Sequence, residues 1–432
     1  MRTQTIILCL ALLALTGCAR PTQQSAQPTT NAGAGPTAAA APQAVRISAE
    51  GTDAAEPALV AGRAGTAFVS WVEHAADGGA DVFVRHVSAD GTPLAAPVRV
   101  NAERGAATAW HGDPPTLAFA PDGTLYIGWT ARDPAKEHAT ALYLSVSHDD
   151  GQTFAPPVQV NDDRRPAEHG LHSLAVGADG RVYVVWLDER NVAAPPASTS
   201  KTEHQHGEAN RDVFFAYSTD GGKTFTPNRR LATEACPCCK TALAVGRDGR
   251  LYASWRQVLP GNFRHIAVAS SADGGETFAP PVVVSDDQWQ LSGCPVSGAA
   301  LHPAADGALL VVWYTAGERG APGLYWAESR DGGRTFSARQ QLNAGSVHGT
   351  PVLLAAEGQE QLRAVWQVGG GKTGIRLATR GQAGWDVSSA PLIDAGEVPA
   401  ADLSGAHLLV AYAGKAGDFR GVWVAQSDLP RG

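Results

Sequence analysis

Charge is scarce in this sequence, and its scarcity already excludes one class of partner. Charged residues make up 18% of the 432 residues, methionine occurs once, and no lysine- or arginine-rich run stands out. The formal net charge is −8 at pH 7. Binding to a nucleic-acid backbone needs a basic surface, so nucleic acid is not an expected partner. Glycine (48) and proline (28) are abundant instead, which favours many short strands joined by turns.

The apolar run near the N-terminus is too short to cross a bilayer comfortably. Residues 6–15 are apolar, follow the positively charged Arg2, and end in Leu15-Thr16-Gly17-Cys18. This arrangement resembles the signal peptide and lipobox of bacterial lipoproteins. The resemblance implies cleavage after residue 17 and lipidation of Cys18. The alternative is an ordinary secretory signal that contains a cysteine.

The residues after the lipobox predict where the protein is held. Residue 19 is alanine rather than the aspartate that usually retains lipoproteins at the inner membrane, so we expect outer-membrane anchoring in a Gram-negative cell. Residues 20–43 are rich in Ala, Thr, Pro, Gln and Gly and almost uncharged, which is typical of a disordered tether. We therefore predict three parts: a signal peptide (1–17), a lipidated cysteine with its tether (18–43), and one extracytoplasmic domain (44–432).

One short pattern, Ser-x-Asp-x-Gly-x-Thr-Phe, recurs through the predicted domain. Copies occupy residues 147–154, 218–225, 271–278 and 329–336, and a degenerate copy lies at 88–92. The aspartate can accept hydrogen bonds from backbone amides in a turn, and glycine tolerates positive φ. The aromatic residue then anchors the next strand. The pattern is typical of a tight β-hairpin.

The hairpin pattern belongs to a longer unit of four short strands, in which the second strand carries an aromatic residue. That aromatic recurs as Trp71, Trp129, Trp186, Trp255, Trp313, Trp366 and Tyr412. Four-stranded units at this spacing predict an all-β fold, a β-propeller of seven blades, with six blades as the alternative. The last unit lacks a fourth strand, whereas residues 44–48 resemble one. We therefore expect the N-terminal strand to close the last blade and remove an exposed sheet edge.

The recurring hairpin resembles the Asp-box of the sialidase-type BNR repeat proteins. The resemblance extends over nearly the whole predicted domain, but many proteins that carry the Asp-box are not enzymes. In such propellers the tight hairpins share one face, and the connections before the first strands share the other. The resemblance therefore implies that the Asp-boxes lie opposite the ligand face and hold turns together.

Polar residues recur at this predicted ligand face, just before the first strand of successive units. They are Glu56, His111, Asp113, Glu168, His169, His172, Cys236, Cys238, Cys239, Lys240, Cys294, His348 and Glu397. A polar insertion within residues 187–211 carries His204 and His206 and projects to the same face. This convergence is the main indication of where a ligand binds.

The cysteines allow two interpretations. Six occur in the sequence, and four remain once Cys9 leaves with the signal and Cys18 is lipidated. An even number in an oxidising compartment favours disulfides. Cys236 and Cys294 sit at matching positions in adjacent units and suit a staple between blades. Cys238 and Cys239 are neighbours and suit a strained pair, or one of them pairs with Cys236 or Cys294.

A metal site is the second interpretation. Copper or zinc would suit a set of thiolates and imidazoles drawn from Cys236, Cys238, Cys239, Cys294, His111, His169, His172 and His348. The spacing Cys-x-Cys-Cys matches no standard zinc motif, so disulfide pairing among the cysteines is the favoured interpretation.

The sialidase resemblance also implies a chemistry that the sequence must supply. Sialidases hold the substrate carboxylate with three arginines and use a tyrosine nucleophile activated by glutamate, with an aspartate as acid. Residues 45–48 keep only the Arg-Ile of the family's early Phe-Arg-Ile-Pro motif. No Tyr–Glu pair can be assigned by spacing, and cationic groups would come from Arg190, Arg256, Arg264 and Arg319.

Weak catalytic candidates follow the second-strand tryptophans. They are Asp188, Glu189, Arg190 and Arg256. The first three are better interpreted as a neutralised surface cluster, so whether the protein is an enzyme stays open. The sequence predicts a lipid-anchored binding or assembly module for a carbohydrate, a protein or a metal. A glycoside hydrolase of the exo-sialidase type is the alternative.

Overall fold

The computed structural model describes residues 44–133, 136, 139–192, 209–355, 361–371, 374–382, 384–405 and 407–428. The chain divides into residues 1–40 and a compact unit from residue 41 to the C-terminus, and all described residues belong to the second unit. The lipobox, Cys18 and the predicted tether lie outside the described residues, as do His204 and His206. No helix in the described part of the chain is long and apolar enough to cross a membrane.

The described residues form an all-β fold, as the sequence predicts, and no helix occurs among them. In chain order the strands are β1 (Ala44–Arg46), β2 (Asp53–Ala61), β3 (Thr66–His74), β4 (Ala80–Ser88), β5 (Val98–Arg99), β6 (Ala107–Thr108), β7 (Thr116–Phe119), β8 (Leu125–Arg132), β9 (Thr140–Ser147), β10 (Val158–Gln159), β11 (His169–Val176), β12 (Val182–Asp188), β13 (Arg211–Ser218), β14 (Arg229–Ala235) and β15 (Ala242–Val245). They continue with β16 (Leu251–Leu259), β17 (Phe263–Ser271), β18 (Val282–Val283), β19 (Ala299–Pro303), β20 (Leu309–Thr315), β21 (Gly323–Ser329), β22 (Gln340–Ala344), β23 (Val347–Ala355), β24 (Leu362–Val368), β25 (Ile375–Gly381), β26 (Gly384–Val387), β27 (Glu397–Ser404), β28 (His407–Ala416) and β29 (Phe419–Asp428).

The strands form seven antiparallel groups of four, each paired in chain order. The groups are β2–β5, β7–β10, β11–β14, β15–β18, β19–β22, β23–β26, and β27–β29 with β1; we number them one to seven. The short β6 adds to β8 in group two. A single pair, Ala235 with Gln257, links groups three and four. The four-stranded unit inferred from the sequence is therefore the building block.

The first strand completes the last group, as expected. Ala44, Val45 and Arg46 pair antiparallel with Ala425, Val424 and Trp423 of β29. Without β1, the outer edge of β29 would present unpaired amides and carbonyls to solvent, which invites pairing with other chains.

The core lies between the faces of neighbouring groups. The seven second-strand aromatics are all buried, with at most 8% of the surface exposed at Tyr412. Trp313, for example, packs with Tyr252 of group four and Tyr325 of its own group. One cluster joins Val69 and Trp71 of group one to residues of group seven. Apolar packing therefore connects the first group with the last as well as each group with the next.

The first strands of the groups touch one another in order. β2 contacts β7, and the contacts continue through β11, β15, β19, β23 and β27, which again contacts β2. A hydrogen bond from the Ala61 amide to the Asp402 carboxylate, 2.8 Å long, joins β2 to β27. The beginnings of seven strands therefore surround one region.

The Asp-box hairpins have the turn geometry that their sequence predicts. In the copy at 271–278, Asp273 accepts hydrogen bonds from the hydroxyl of Ser271 (2.7 Å) and from the amide of Thr277 (2.9 Å). Gly274 and Gly275 both have positive φ. These contacts satisfy turn amides and hold the hairpin closed.

Candidate ligand-binding site

Backbone irregularities mark the start of several first strands. The pairing register shifts after Ala55, Gly170, His348 and Glu397. A residue with positive φ lies within each shift: Glu56, Leu171, Gly349 and Val398. Val398 is β-branched, and a β-branched residue in this conformation is strained. Such bulges re-aim side chains near binding sites, so their recurrence here identifies the region of interest.

A cavity of about 310 Å³ lies where the first strands converge, and residues from all seven of them line it. Its walls include five prolines: Pro57, Pro114, Pro115, Pro351 and Pro399. Proline rings give an apolar wall with little conformational freedom. Polar groups reach the cavity at His111, Lys240, His348 and Gln367. An apolar pocket with a few converging polar groups is the usual form of a small-ligand site.

Two histidine rings line this cavity, and a tryptophan ring packs against one of them. The rings of His111 and His348 stack with their centroids 5.2 Å apart, and Trp110 meets His111 edge-on at 5.0 Å. Trp110 is 39% exposed, unlike the buried second-strand tryptophans. Its ring lies over Gly112, where an added Cβ would come within 2.2 Å of the indole. Glycine at 112 therefore allows the indole to lie across the loop.

His111 is poised to stay neutral near pH 7. Burial lowers its pKa, and the positive charge that His348 can carry lowers it further, whereas Glu56 and Glu397 act in the opposite direction. A neutral imidazole offers one donor and one acceptor. The stacked pair can therefore both donate to and accept from a ligand hydroxyl.

A buried charge pair supports the wall beneath the histidines. Nζ of Lys240 lies 3.6 Å from Oδ1 of Asp113 and donates to the carbonyl of Pro114 at 3.1 Å. Nδ1 of His172 lies 3.5 Å from the same carboxylate oxygen. Burial alone would raise the pKa of Asp113, but His172 and the charge of Lys240 lower it to about 2. The carboxylate is therefore ionised and fixes the position of Lys240.

A second cavity of about 400 Å³ shares His111, His348 and Gln367 with the first and adds Glu397 and Arg420. The Gln367 side-chain carbonyl accepts a hydrogen bond from the strained Val398 amide at 2.9 Å. Arg420 reaches from β29 to pair with Asp53 at 2.7 Å. The open end of the site is thus lined by charged groups.

His169 lies in a different environment from His111 and His348. Its Nε2 is 2.9 Å from Asp163 and 3.6 Å from Asp188. Arg190 pairs with Asp188 at 2.8 Å, and Asp188 is fully buried. Burial would lower the pKa of His169, but the hydrogen bond that its ring donates to Asp163 and the charge of Asp188 raise it. These groups neutralise one another, although in the interior rather than on the surface that the sequence suggested.

The remaining catalytic candidates are scattered. Glu189 pairs with Arg211, which also binds Glu168. Arg256 is fully buried and donates to the carbonyls of Ser297 and Tyr314. The arginines suggested for a substrate carboxylate therefore point to four separate places: Arg190 to Asp188, Arg256 to backbone carbonyls, Arg264 to Cys236 and Arg319 to Asp286.

Three cysteines form a compact buried cluster. The sulfurs of Cys236, Cys238 and Cys239 all lie within 4.8 Å of one another, and those of Cys236 and Cys238 are 3.8 Å apart. None of the three is in a disulfide in this structure. Hydrogen bonds from the other two thiols hold the pKa of Cys236 far below its usual range, while burial raises that of Cys239 to about 12. Cys294 is exposed and lies outside this cluster.

Comparison with known proteins places the chain in a family. Residues 65–375 match the model of the BNR repeat-like domain. The chain belongs to the BNR repeat-like domain family. This confirms the resemblance drawn from the Asp-boxes. Among curated proteins, no sequence matches the chain.

Solved structures similar to this BNR repeat-like chain share its fold at low identity. A protein of unknown function from Dyadobacter fermentans DSM 18053 has a TM-score of 0.52 at 15% identity, covering 89% of this chain and 98% of that one. A polysaccharide lyase, an ulvan lyase, has a TM-score of 0.56 at 12% identity, covering 90% and 98%. A Hadza microbial sialidase has a TM-score of 0.50 at 15% identity, covering 81% and 73%. At these identities the likeness concerns the fold alone.

In this BNR repeat-like chain the residues proposed from the sequence as one metal-binding set separate into five places, one of which is the exposed Cys294. His111 and His348 meet at the central cavity, His172 supports Lys240, His169 joins Asp163, and three cysteines cluster apart from all of these. Gln367 and Arg420 were not singled out from the sequence. Gln367 directly follows Trp366, just as Arg256 follows Trp255, so the same offset could have found it.

Proposed function

We propose that this protein is a carbohydrate-binding module whose ligand enters the central cavity. The observation that carries the proposal is the exposed indole of Trp110 beside the stacked rings of His111 and His348. A sugar ring presents an apolar face that suits an exposed indole, and its hydroxyls suit the neutral imidazole of His111. A partly exposed tryptophan also keeps its N–H available to a ligand.

The shape of the cavity fits the same ligand class. Its proline walls offer rigid apolar contact, while Gln367 and Lys240 add polar groups at separate points. A volume of about 310 Å³ lies at the lower end of the range for small-molecule pockets, which suits one sugar residue of a longer chain. The glycan-active neighbours on the same fold are compatible with this ligand class.

We favour binding over exo-sialidase chemistry for a specific reason. The four arginines suggested for the substrate carboxylate have other partners, and none of them lines the central cavity. Arg420 lines the adjoining cavity but pairs with Asp53 and Glu56.

The fold that would carry this site is, we propose, a seven-bladed β-propeller closed by the N-terminal strand. The seven groups, the order of contacts that returns from β27 to β2, and the apolar cluster shared by groups seven and one support it. A six-bladed propeller would leave one of the seven four-stranded groups outside the ring of blades. Limited proteolysis that releases one group while the rest stays folded would argue against closure.

We further propose that residues 1–17 are removed and that Cys18 is lipidated, so that the module is displayed at the outer membrane. Labelling with a radioactive fatty acid tests this. Incorporation that disappears in Cys18→Ala is the expected result, and unchanged incorporation would contradict it.

Glycan binding is tested with the purified protein on a panel of neutral and acidic oligosaccharides, followed by calorimetry with the best binder. Trp110→Ala should lose roughly tenfold or more in affinity, since an aromatic anchor in an interface is worth about 2 kcal/mol or more. Leu94→Ala is the matched control, because Leu94 is an exposed apolar side chain (53%) in the connection between β4 and β5, whereas Trp110 packs against His111 of the cavity. Equal affinity of Trp110→Ala and wild type would overturn the proposal. Release of a fluorophore from a sialoside by the wild type would instead support the hydrolase.

A further inference from the structure

The cysteine cluster lies between β14 and β15, in a position that the central cavity does not use. Cys236, Cys238 and Cys239 are 1%, 5% and 0% exposed and pack against Val258 and Val296. Three sulfurs crowded into an apolar setting without a bond between them are unusual. Buried thiols are ordinarily single and inert, so the close approach of three sulfurs needs a physical explanation.

Two buried cations stand beside the sulfurs. Nη1 of Arg264 lies 2.9 Å from the sulfur of Cys236, and Arg264 is 7% exposed. Arg256 is fully buried, and its charge acts on both Cys236 and Cys239. No ion pair with a carboxylate is found for either guanidinium among the described residues: Arg256 lies over the Trp289 ring at 4.9 Å, and Arg264 donates to Oδ1 of Asn262 at 3.0 Å. Nη1 of Arg256 has no hydrogen-bond partner there either.

Buried cations without anions are costly, because the interior does not solvate charge. The sulfurs beside Arg256 and Arg264 can supply the negative charge that balances them. Three thiolates alone would carry three negative charges in a small volume, which is equally unfavourable. A metal ion among them resolves both problems.

The spacing of the sulfurs fits a single metal ion. A metal–sulfur distance of about 2.3 Å in a trigonal plane separates the sulfurs by about 4 Å. The observed separation of Cys236 and Cys238 is 3.8 Å, and all three sulfurs lie within 4.8 Å of one another. Small movements would complete the triangle.

The number of ligands and the charge both favour a soft monovalent ion. No fourth His, Cys, Asp or Glu among the described residues joins the three sulfurs within that distance, whereas structural zinc is almost always four-coordinate. Thiolates select Cu(I) among soft ions. Three thiolates with Cu(I) carry a charge of about −2, which Arg256 and Arg264 balance; with Zn(II) the charge would be about −1.

We propose that Cys236, Cys238 and Cys239 form a three-coordinate Cu(I) site whose negative charge is balanced by Arg256 and Arg264. On binding, the metal forms three bonds to sulfur, the remaining thiol protons leave to solvent, and no electron is transferred. None of the three cysteines lines the glycan cavity proposed above, although Val296 lines that cavity and packs against them.

The test uses the full-length protein, reduced and purified in detergent. Cu(I) is supplied in competition with a Cu(I) chelator, and bound copper is counted per chain. We expect one Cu(I) per chain and three sulfur scatterers around it by X-ray absorption. Cys236→Ser, Cys238→Ser and Cys239→Ser should each lose the copper, whereas Cys294→Ser, the matched control outside the cluster, should retain it.

Several results would overturn the site. The site would be wrong if the reduced wild type gave up all its copper to the chelator, or if all three cluster variants kept their copper. It would also be wrong if Cys294→Ser lost as much copper as the cluster variants. Protein taken from its native compartment with cluster thiols oxidised and no copper would also overturn it. If the serine variants do not fold, X-ray absorption of the copper-loaded wild type still tests the site. Any number of sulfur ligands other than three would contradict it.

Discussion

Arg264 donates a hydrogen bond to the sulfur of Cys236, with 2.9 Å between Nη1 and Sγ. A guanidinium this close to a buried sulfur favours the thiolate over the thiol. Arg264 lies on β17 of group four, whereas Cys236 lies in the connection between β14 and β15, which joins groups three and four. The charge of the cluster is therefore set by a residue distant from it in sequence.

Replacing that cation should weaken metal binding selectively. Arg264→Gln keeps hydrogen-bonding capacity but removes one positive charge, and a hydrogen bond to a charged group contributes about 1.5 to 3 kcal/mol. We expect Cu(I) affinity to fall roughly tenfold to a hundredfold, with a smaller fall for Zn(II), because the zinc complex carries less negative charge. Chelator competition with each metal measures the two changes. The control is Arg319→Gln, because the guanidinium of Arg319 pairs with Asp286 at the surface; this variant should change the affinity for neither metal. An equal loss of Cu(I) and Zn(II) affinity in Arg264→Gln would contradict the charge argument.

Asp113 should be important for stability, because it stands between Lys240 and His172 in the interior. Asp113→Asn leaves the ammonium of Lys240 buried without an anion, which typically costs about 3 to 5 kcal/mol. Urea denaturation at pH 7 measures this cost, and the exposed Glu103→Gln serves as control. A loss no larger than that of the control would show that water, not the carboxylate, satisfies Lys240.

The same carboxylate predicts a pH dependence. The folded pKa of Asp113 is about 2, below the value of about 3.9 expected for an unfolded chain. Its contribution to stability is therefore complete above pH 4 and is lost as the pH falls towards 2. Unfolding free energy measured across this range should fall more steeply in the wild type than in Asp113→Asn. Parallel curves would contradict the assignment.

Glycan binding should weaken in mild acid. The pKa of His111 lies below its usual value because of burial and of His348, so the imidazole is neutral at pH 7 and becomes charged only as the pH falls below that lowered pKa. Once protonated, it can no longer accept a hydrogen bond from a sugar hydroxyl. Calorimetry between pH 7 and about 5 should show affinity falling further in the wild type than in His111→Gln. A pH-dependent loss that is the same in both proteins would exclude His111 as its origin.

The Asp-box contributes to folding rather than to binding. Asp220 accepts hydrogen bonds from the amide and the hydroxyl of Thr224, 2.9 and 2.6 Å long, which lower its pKa to about 2. Asp220→Ala should lower the melting temperature by a few degrees and leave glycan affinity unchanged. Lys223→Ala is the matched control in the same turn, since only its backbone amide contacts Asp220. Loss of affinity in Asp220→Ala without loss of stability would give the box a direct role.

The repeated features of the fold could be predicted from the sequence. The second-strand aromatics identified the units because each fills the same space between neighbouring groups; Trp71 and Trp366 are equally buried at opposite ends of the chain. The pairing of residues 44–46 with β29 followed from a missing strand at one end and a surplus strand at the other. Repetition made both inferences possible, because every copy repeats the same packing requirement.

The grouping of site residues could not be predicted in the same way. His169 and His172 are three positions apart, but the register shift and the positive φ of Leu171 between them send the two side chains to different partners. One turns to Asp163 and the other to Asp113. A one-residue bulge reverses the face of a strand, and no pattern of polar residues reveals where it falls.

The contact between Ala44 and Ala425 has a consequence for how the protein is made. The two residues are 381 positions apart, and the apolar cluster that Val69 and Trp71 share with Leu409 and Val424 likewise needs both ends of the chain. A ribosome delivers β28 and β29 after every other described strand, so the apolar side of group one stays in water until all the other groups have been made. Such delayed long-range pairing slows folding and favours aggregation in the interval. Truncating the chain before β28 does more than remove two strands, because it exposes apolar surface on group one and on the remainder of group seven.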